Sequence, residues 1–301
     1  MSLSSCRTRR GFLAAAAGSA LAPPLAVGLE ADGLKRSPGV HLKLALNAYS
    51  FNGPLTSGKL TLADVIDYCA ANNIDGLDPT GYYFPGYPKV APDSYLYELK
   101  RKAYLNGVTL SGTGVRNDFT RAGQDALRGD VQLVKDWIVA AAKLGAAFVR
   151  VFSGPALAAD RSFEDILHGM VPAFQECAEY GKQHGVLVAL QHHDDFLKTA
   201  AETIRVVKAV DSDWFSVVLD VGSLRQGDPY EEIEKLLPYA CTWQIKEQVY
   251  VRGKATPIDL QRIRAIIEKT GYRGFLPFEA LGRGDPGEVT AFLEKVRHAM
   301  F

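Results

Sequence analysis

Eight times in this chain a short apolar run ends abruptly in polar residues, and the runs begin about 33 residues apart between positions 42 and 275. The clearest is Val186–Phe196, VLVALQHHDDF, where valine, leucine and alanine give way to Gln191, His192, His193, Asp194 and Asp195. A run that is apolar at every position is buried on both faces, as the strands of a parallel sheet are. Polar side chains at the carboxyl ends of such strands stand where α/β folds hold their chemistry. The other runs are Leu42–Leu46, Ile74–Leu77, Val108–Ser111, Ala147–Phe152, Phe215–Leu219, Cys241–Ile245 and Phe275–Phe278.

Helical patterns fill the intervals. Thr61 is a good N-cap, with Asp64 three residues on in the capping-box position. Asp93–Leu105 and Phe163–His184 read as helices, and Val131–Leu144 carries Leu133, Trp137, Ala140 and Leu144 on one face. A last helix ends near Met300. Eight strand–helix units over residues 42–301 match the size of a single (β/α)8 TIM barrel, so the expected fold class is α/β. An open doubly wound sheet competes, but no GxGxxG follows the first strand and eight units complete a barrel.

Residues 1–28 are set apart from that repeat. Thr8-Arg9-Arg10-Gly11-Phe12-Leu13, the short apolar run Ala14–Ala22 and Pro23-Pro24 follow the pattern of a twin-arginine export signal. The run is too short to span a bilayer comfortably. Residues 29–41 read as a linker, and the expectation is a periplasmic barrel with no stable membrane association after signal removal. Three arginines and no acids lie in the signal, while the whole chain has 34 basic and 34 acidic residues. The barrel is therefore slightly acidic, which argues against nucleic acid as a partner. Cys6 lies in the signal; Cys69, Cys177 and Cys241 are scattered without CxxC spacing, so neither a disulfide framework nor a zinc site is expected.

In a barrel, the strand ends converge on one mouth. Taken by strand, they bring Asn47, Asp78, Arg116, Gln191 with His193, Asp220, Gln244 with Lys246, and Glu279. Singly, each has a structural reading: Asp78 and Asp220 as loop caps, Gln244 as a partner for a backbone group. Together in one mouth, Asp220, Lys246 and Glu279 point to acid–base work. His192 and His193 alternate across their strand, so only one faces inward. The aromatic loop Tyr82-Tyr83-Phe84 offers rings for the face of a sugar.

With Leu46-Asn47-Ala48-Tyr49-Ser50-Phe51, Gln191-His192-His193, Leu219-Asp220-Val221-Gly222, Gln244-Ile245-Lys246-Glu247 and Gly271-Tyr272-Arg273-Gly274 leading to Glu279, residues 42–300 resemble the xylose isomerase-like barrels of the sugar phosphate isomerase/epimerase family. The resemblance implies one divalent metal, Mn2+ or Mg2+, held from strands five to eight at positions that match Gln191, Asp220, Gln244 and Glu279. Two of these depart from the family's Glu, Asp, His, Glu set. Glutamine offers a carbonyl oxygen but no charge, so two carboxylates remain and a weaker site is expected.

Family epimerases resemble two-base machines, with strand-five and strand-eight glutamates on either side of the substrate carbon. Gln191 is neither acid nor base. One base then remains: Glu279 takes a proton beside a carbonyl, Lys246, Arg116 or a metal stabilises the enediolate, and His193 protonates a leaving group or neighbouring carbon. Asn47, Tyr82, Arg116, His192 and Glu247 are the expected substrate contacts. The expected activity is that of a sugar isomerase or epimerase acting on a sugar or keto-sugar. The alternatives are a keto-glycoside lyase or dehydratase working by β-elimination, and a catalytically silent carbohydrate-binding barrel. The partner is a small sugar or glycoside, with a homo-oligomer as the expected assembly.

Overall fold

The computed structural model describes residues 33–121, 123–155, 161–193 and 196–301. The twin-arginine segment, the first part of the linker and the pair Asp194-Asp195 lie outside the described residues. The barrel strands are β1 (His41–Asn47), β2 (Gly76–Asp78), β3 (Thr109–Leu110), β4 (Thr113–Gly114), β5 (Phe148–Phe152), β6 (Leu187–Gln191), β7 (Phe215–Asp220) and β8 (Ala240–Lys246). A hairpin of β9 (Gln248–Val251) and β10 (Lys254–Pro257) precedes the last barrel strand, β11 (Arg273–Glu279). Around them run α1 (Asn52–Thr56), α2 (Leu62–Ala71), α3 (Asp93–Leu105), α4 (Gln124–Leu144), α5 (Phe163–His184), α6 (Ala200–Val210), α7 (Pro229–Leu236), α8 (Leu260–Thr270) and α9 (Pro286–Met300).

The main sheet is parallel, in the order β3-β2-β1-β11-β8-β7-β6-β5-β4. Its two end strands are pieces of one: β3 and β4 flank Ser111-Gly112, and together they make the third barrel strand. Ser111 ties the seam, its amide donating to Leu77 O at 2.8 Å and its carbonyl accepting from Ala147 N at 3.4 Å. The sheet thus closes on eight positions. The continuous third strand expected over Val108–Ser111 is instead divided, because the Phe148 ring fills the barrel beside Gly112. A Cβ on Gly112 would come within 2.1 Å of that ring.

Two helices, α2 and α5, begin where the sequence says they should. Thr61 and Ser162 each close a capping box, with Asp64 and Asp165. The helix α4 starts earlier than the expected Val131, at Gln124, and its Trp137 is wholly buried. Trp137 Nε1 donates to Pro88 O at 2.9 Å, and its ring meets Phe84 edge-on at 5.3 Å. That contact anchors the aromatic loop after β2. Removing so large a buried ring typically costs about 3–5 kcal/mol.

The hairpin was not anticipated. Its two-residue turn, Arg252-Gly253, has φ of 51° and 75°, the left-handed pair of a tight hairpin. Arginine carries little turn signal of its own, so the Arg252-Gly253 turn is weakly marked in the sequence.

Side-chain alternation along each strand sends every second residue into the barrel. On β5 these are Phe148, Arg150 and Phe152; on β6, Gln191 above Ala189; on β7, Asp220 above Val218. Phe148, Ala189 and Val218 form a small apolar cluster of their own. It floors the mouth, and the polar ends stand on it.

Candidate active site

Parallel register sets the neighbours. Glu279 is the Cα partner of Lys246, Asp220 of Gln244, Phe152 of Gln191 and Asn47 of Asp78. The pocket at this mouth has a volume of about 300 Å3, and its walls include Tyr82, Arg150, Gln191, His193, Lys246 and Glu279. Its size is at the lower end of small-molecule sites.

Lys246 sits between two carboxylates. Its Nζ donates to Asp220 Oδ2 at 2.8 Å and lies 3.6 Å from Glu279 Oε1. Asp220 is wholly buried. Its Oδ2 also accepts from Gln191 Nε2 at 2.7 Å and Ser223 Oγ at 2.8 Å, and its Oδ1 from the Gly222 amide at 3.0 Å. Gln244 Nε2 donates to Glu279 Oε2. Gly222 lets the lysine stem pass: a Cβ there would stand 2.6 Å from Lys246 Cδ. Gly222→Ala is therefore expected to push the ammonium off its partners and lower kcat about ten- to a hundredfold, with the fold retained. Steady-state kinetics beside a thermal melt check this.

The three charges divide their labour. Burial raises the Asp220 carboxyl, but Lys246 and then His192 outweigh it and hold the group down at about 2. Burial also raises the Glu279 carboxyl, and here it prevails over the pull of Lys246, with Asp220 adding to it. Burial works against the Lys246 charge, yet Asp220 and Glu279 keep it protonated well beyond the ordinary lysine range. The two carboxylates are thus pushed apart, Asp220 downward and Glu279 upward.

A second buried cluster faces them from the first strands. Arg150, 2% exposed, donates from Nη1 to Asp78 Oδ2 at 2.6 Å and from Nη2 to Thr80 Oγ1 at 3.0 Å. Asn47 Nδ2 donates to the same Asp78 oxygen at 3.1 Å, and Asn47 Oδ1 caps the next turn by accepting from Tyr49 N at 2.8 Å. Asp78 Oδ1 has no partner among the described residues. Burial disfavours the Arg150 charge, but Asp78 leads a set of groups that raise its pKa overall.

The expected residues are therefore brought together unequally. Gln191, Gln244, Lys246, Glu279, His193, Tyr82 and Arg116 all line the pocket, and Asp220 lies directly behind Lys246. Three expected substrate contacts stand elsewhere. Asn47 is a buried cap behind Asp78. His192 is buried on the other face of its strand, where Nε2 accepts from Asp220 N at 3.2 Å and burial holds its pKa down to about 4, so it is neutral. Glu247 is not in the pocket wall, and its Oε2 accepts from the Leu281 amide at 2.8 Å. Alternation explains the last two: with Gln191, His193 and Lys246 inward, their neighbours face out.

Sequence reasoning missed Arg150, Phe152, Arg225 and Tyr250 in the pocket wall. Arg225 lies 4.1 Å over the Tyr250 ring and Arg116 6.0 Å over Phe152, so both guanidiniums rest on aromatic platforms. Arg150 did leave a signal: a charge inside FVRVF, in a run otherwise buried on both faces, needs a buried partner.

A divalent metal of the kind the resemblance implies does not fit these side chains as they stand. No group of three or more His, Cys, Asp or Glu among the described residues could hold one. The two carboxylates are already bridged by Lys246, and both Asp220 oxygens are taken. Gln244 Oε1, buried without a partner, is a single neutral donor. A dication about 4 Å from the ammonium would meet roughly 8 kcal/mol of repulsion at an effective dielectric of about 20.

A closed parallel barrel with Lys246 between Asp220 and Glu279 at its carboxyl-end mouth defines the class. By its sequence the chain belongs to the xylose isomerase-like TIM barrel family, whose model matches residues 66–297. Compared by sequence with curated proteins, it matches none. Among solved structures it is similar to D-psicose 3-epimerase with D-tagatose from Clostridium cellulolyticum H10, with TM-score 0.71 and 18% identity, covering 86% of this chain and 99% of that one. The IolI protein with a bound zinc atom gives TM-score 0.70 and 16% identity over 86% of this chain and 99% of that one. The probable 3-DHS dehydratase AsbF from Bacillus anthracis gives TM-score 0.63 and 17% identity over 83% and 98%. At these identities the likeness is one of fold.

Proposed function

We propose that this protein is an enzyme of isomerase/epimerase type that abstracts a proton beside the carbonyl of a sugar or keto-sugar. The observation that carries the reading is Glu279, a buried carboxylate whose pKa is raised, 3.6 Å from a buried ammonium. A general base works best when its pKa approaches the working pH, and a cation beside it stabilises the oxyanion that forms. Glu279 takes the proton, the C–H electron pair forms the C=C bond, and the carbonyl oxygen becomes an enediolate oxygen facing Lys246. Returning the proton to the neighbouring carbon, while the hydroxyl proton passes from its own oxygen to the former carbonyl oxygen, interchanges aldose and ketose.

The family's metal, Mn2+ or Mg2+ in the resemblance and zinc in the IolI protein, has no step in this reading, because Lys246 supplies the positive charge. A second reading, β-elimination from a keto-glycoside, has its own support. Gln191 is tied to Asp220 and offers no second base, while His193 lines the same pocket. An imidazole there would hand a proton to a leaving group as the enediolate collapses, and a probable dehydratase is among the similar folds.

The test is a screen of ketoses, aldoses and 3-keto-glycosides in D2O, read by NMR. Deuterium entering beside the carbonyl, with an isomeric product, supports the first reading. A released aglycone supports the second. Binding without exchange would leave a carbohydrate-binding barrel. The pH profile is a further check. Since only deprotonated Glu279 acts, kcat/KM is expected to fall toward acid with an apparent pKa above the ordinary glutamate value of about 4.3. Asp220, held at about 2, is ionised throughout that range. An acid limb at or below the ordinary value would remove Glu279 as the base.

Export by the twin-arginine route to the periplasm is part of the same proposal. It is supported by Arg9-Arg10 and the apolar run behind them, and cell fractionation with an Arg9→Lys/Arg10→Lys variant tests it. Among the described residues no helix is long and apolar enough to cross a membrane.

A further inference from the structure

Two buried carboxylates that face each other either share a proton or hold a cation between them. Here the chain supplies it. Lys246 Nζ lies 2.8 Å from Asp220 Oδ2 and 3.6 Å from Glu279 Oε1, and only 8% of the residue is exposed. The place is built for a side chain: Gly222 clears the path of the stem. Both glutamines direct their amide groups as donors to the carboxylates, Gln191 to Asp220 and Gln244 to Glu279. The two carboxylates are thus met by the ammonium, the two glutamine amides, the Ser223 hydroxyl and the Gly222 amide, all of them donors that leave Asp220 no oxygen free for a metal.

We propose that the Lys246 ammonium is the resident cation of this mouth, standing where a dication would bridge Asp220 and Glu279 and keeping the site free of metal. The inference does not depend on the reaction, since metal binding is read without turnover. It also has a converse. With the lysine charge removed, Asp220, Glu279 and the unpartnered Gln244 Oε1 become a set of oxygen donors, and a glutamate at 191 would add a third carboxylate. The glutamines and the lysine act together, and the metal site is latent beneath them.

The experiment is a titration of the full-length protein, and of Lys246→Met and Gln191→Glu/Lys246→Met, with MnCl2 and MgCl2. Calorimetry and the Mn2+ electron-spin signal report binding. The unaltered protein is expected to bind neither ion at up to about 1 mM, Lys246→Met to bind one Mn2+ at least tenfold tighter than that limit, and the double variant about tenfold tighter again. One Mn2+ per chain bound by the unaltered protein at micromolar concentration would overturn the proposal. So would two folded variants, checked by circular dichroism, that bind no better than the parent. Should Lys246→Met fail to fold, Lys246→Gln repeats the test, and the parent titration stands as a refutation by itself if metal binds.

Discussion

Glu279→Gln is expected to lower turnover by about a thousandfold or more while leaving the barrel folded. The amide keeps the shape of the side chain and can still meet Gln244, but it accepts no proton. It also removes one of the two anions that hold Lys246, leaving the ammonium on Asp220 alone at 2.8 Å. The loss should fall on kcat, and deuterium wash-in at the carbon beside the carbonyl should stop with it. Retained wash-in with lost product would mean that Glu279 acts after proton removal; unchanged turnover would exclude it as the base. The measurement is proton exchange and product formation by NMR on the best substrate from the screen.

Arg150→Met is expected to have the largest effect on stability, about 3–5 kcal/mol, because it strands the Asp78 carboxylate in the barrel. Asp78 is 2% exposed and its Oδ1 is already without a partner. Asn47 alone would then face a buried anion. Urea unfolding should show a lower midpoint at unchanged slope. Adding Asp78→Asn should recover much of the loss, since a neutral amide needs no counter-charge. A single variant as stable as the parent would mean that the pair contributes little to the fold.

The same two clusters show how far the residues could be read before the fold was known. Glu279, Lys246, Asp220, Gln191, Gln244 and His193 were legible as one mouth because each follows an apolar run at the repeat spacing. Their division of roles was not. That Asp220 is a fixed anion and Glu279 a raised one follows from register, which pairs Glu279 with Lys246 and Asp220 with Gln244 across neighbouring strands. Glu247 and His192 lie outside the pocket wall for a reason the sequence did contain: period-two alternation turns them outward once Lys246 and Gln191 face in. Which residue of each pair faces in depends on where a strand ends, and a single-residue slip reverses it.

Arg150 is the opposite case. Its place in an apolar strand announced a buried charge, but its partner lies 72 residues away, and no spacing rule reaches that far. The hairpin β9–β10 went unread because its turn rests on an arginine in a left-handed conformation. Trp137 was read correctly as a helix-face residue, yet its hold on the aromatic loop through Pro88 depends on packing between non-neighbouring segments.

By itself, then, the sequence determined the eight-unit alternation, the caps that start the helices, and the set of polar residues at the strand ends. These are local: apolar periodicity and hydrogen-bond geometry act within a few residues. Only the tertiary structure decided that Lys246 lies between Asp220 and Glu279, that both glutamines donate to those carboxylates, and that Arg150 faces the same pocket. Buried charges acquire their states from neighbours brought in by other strands, and Coulomb interaction at a few ångströms depends on distance, which the order of residues does not specify.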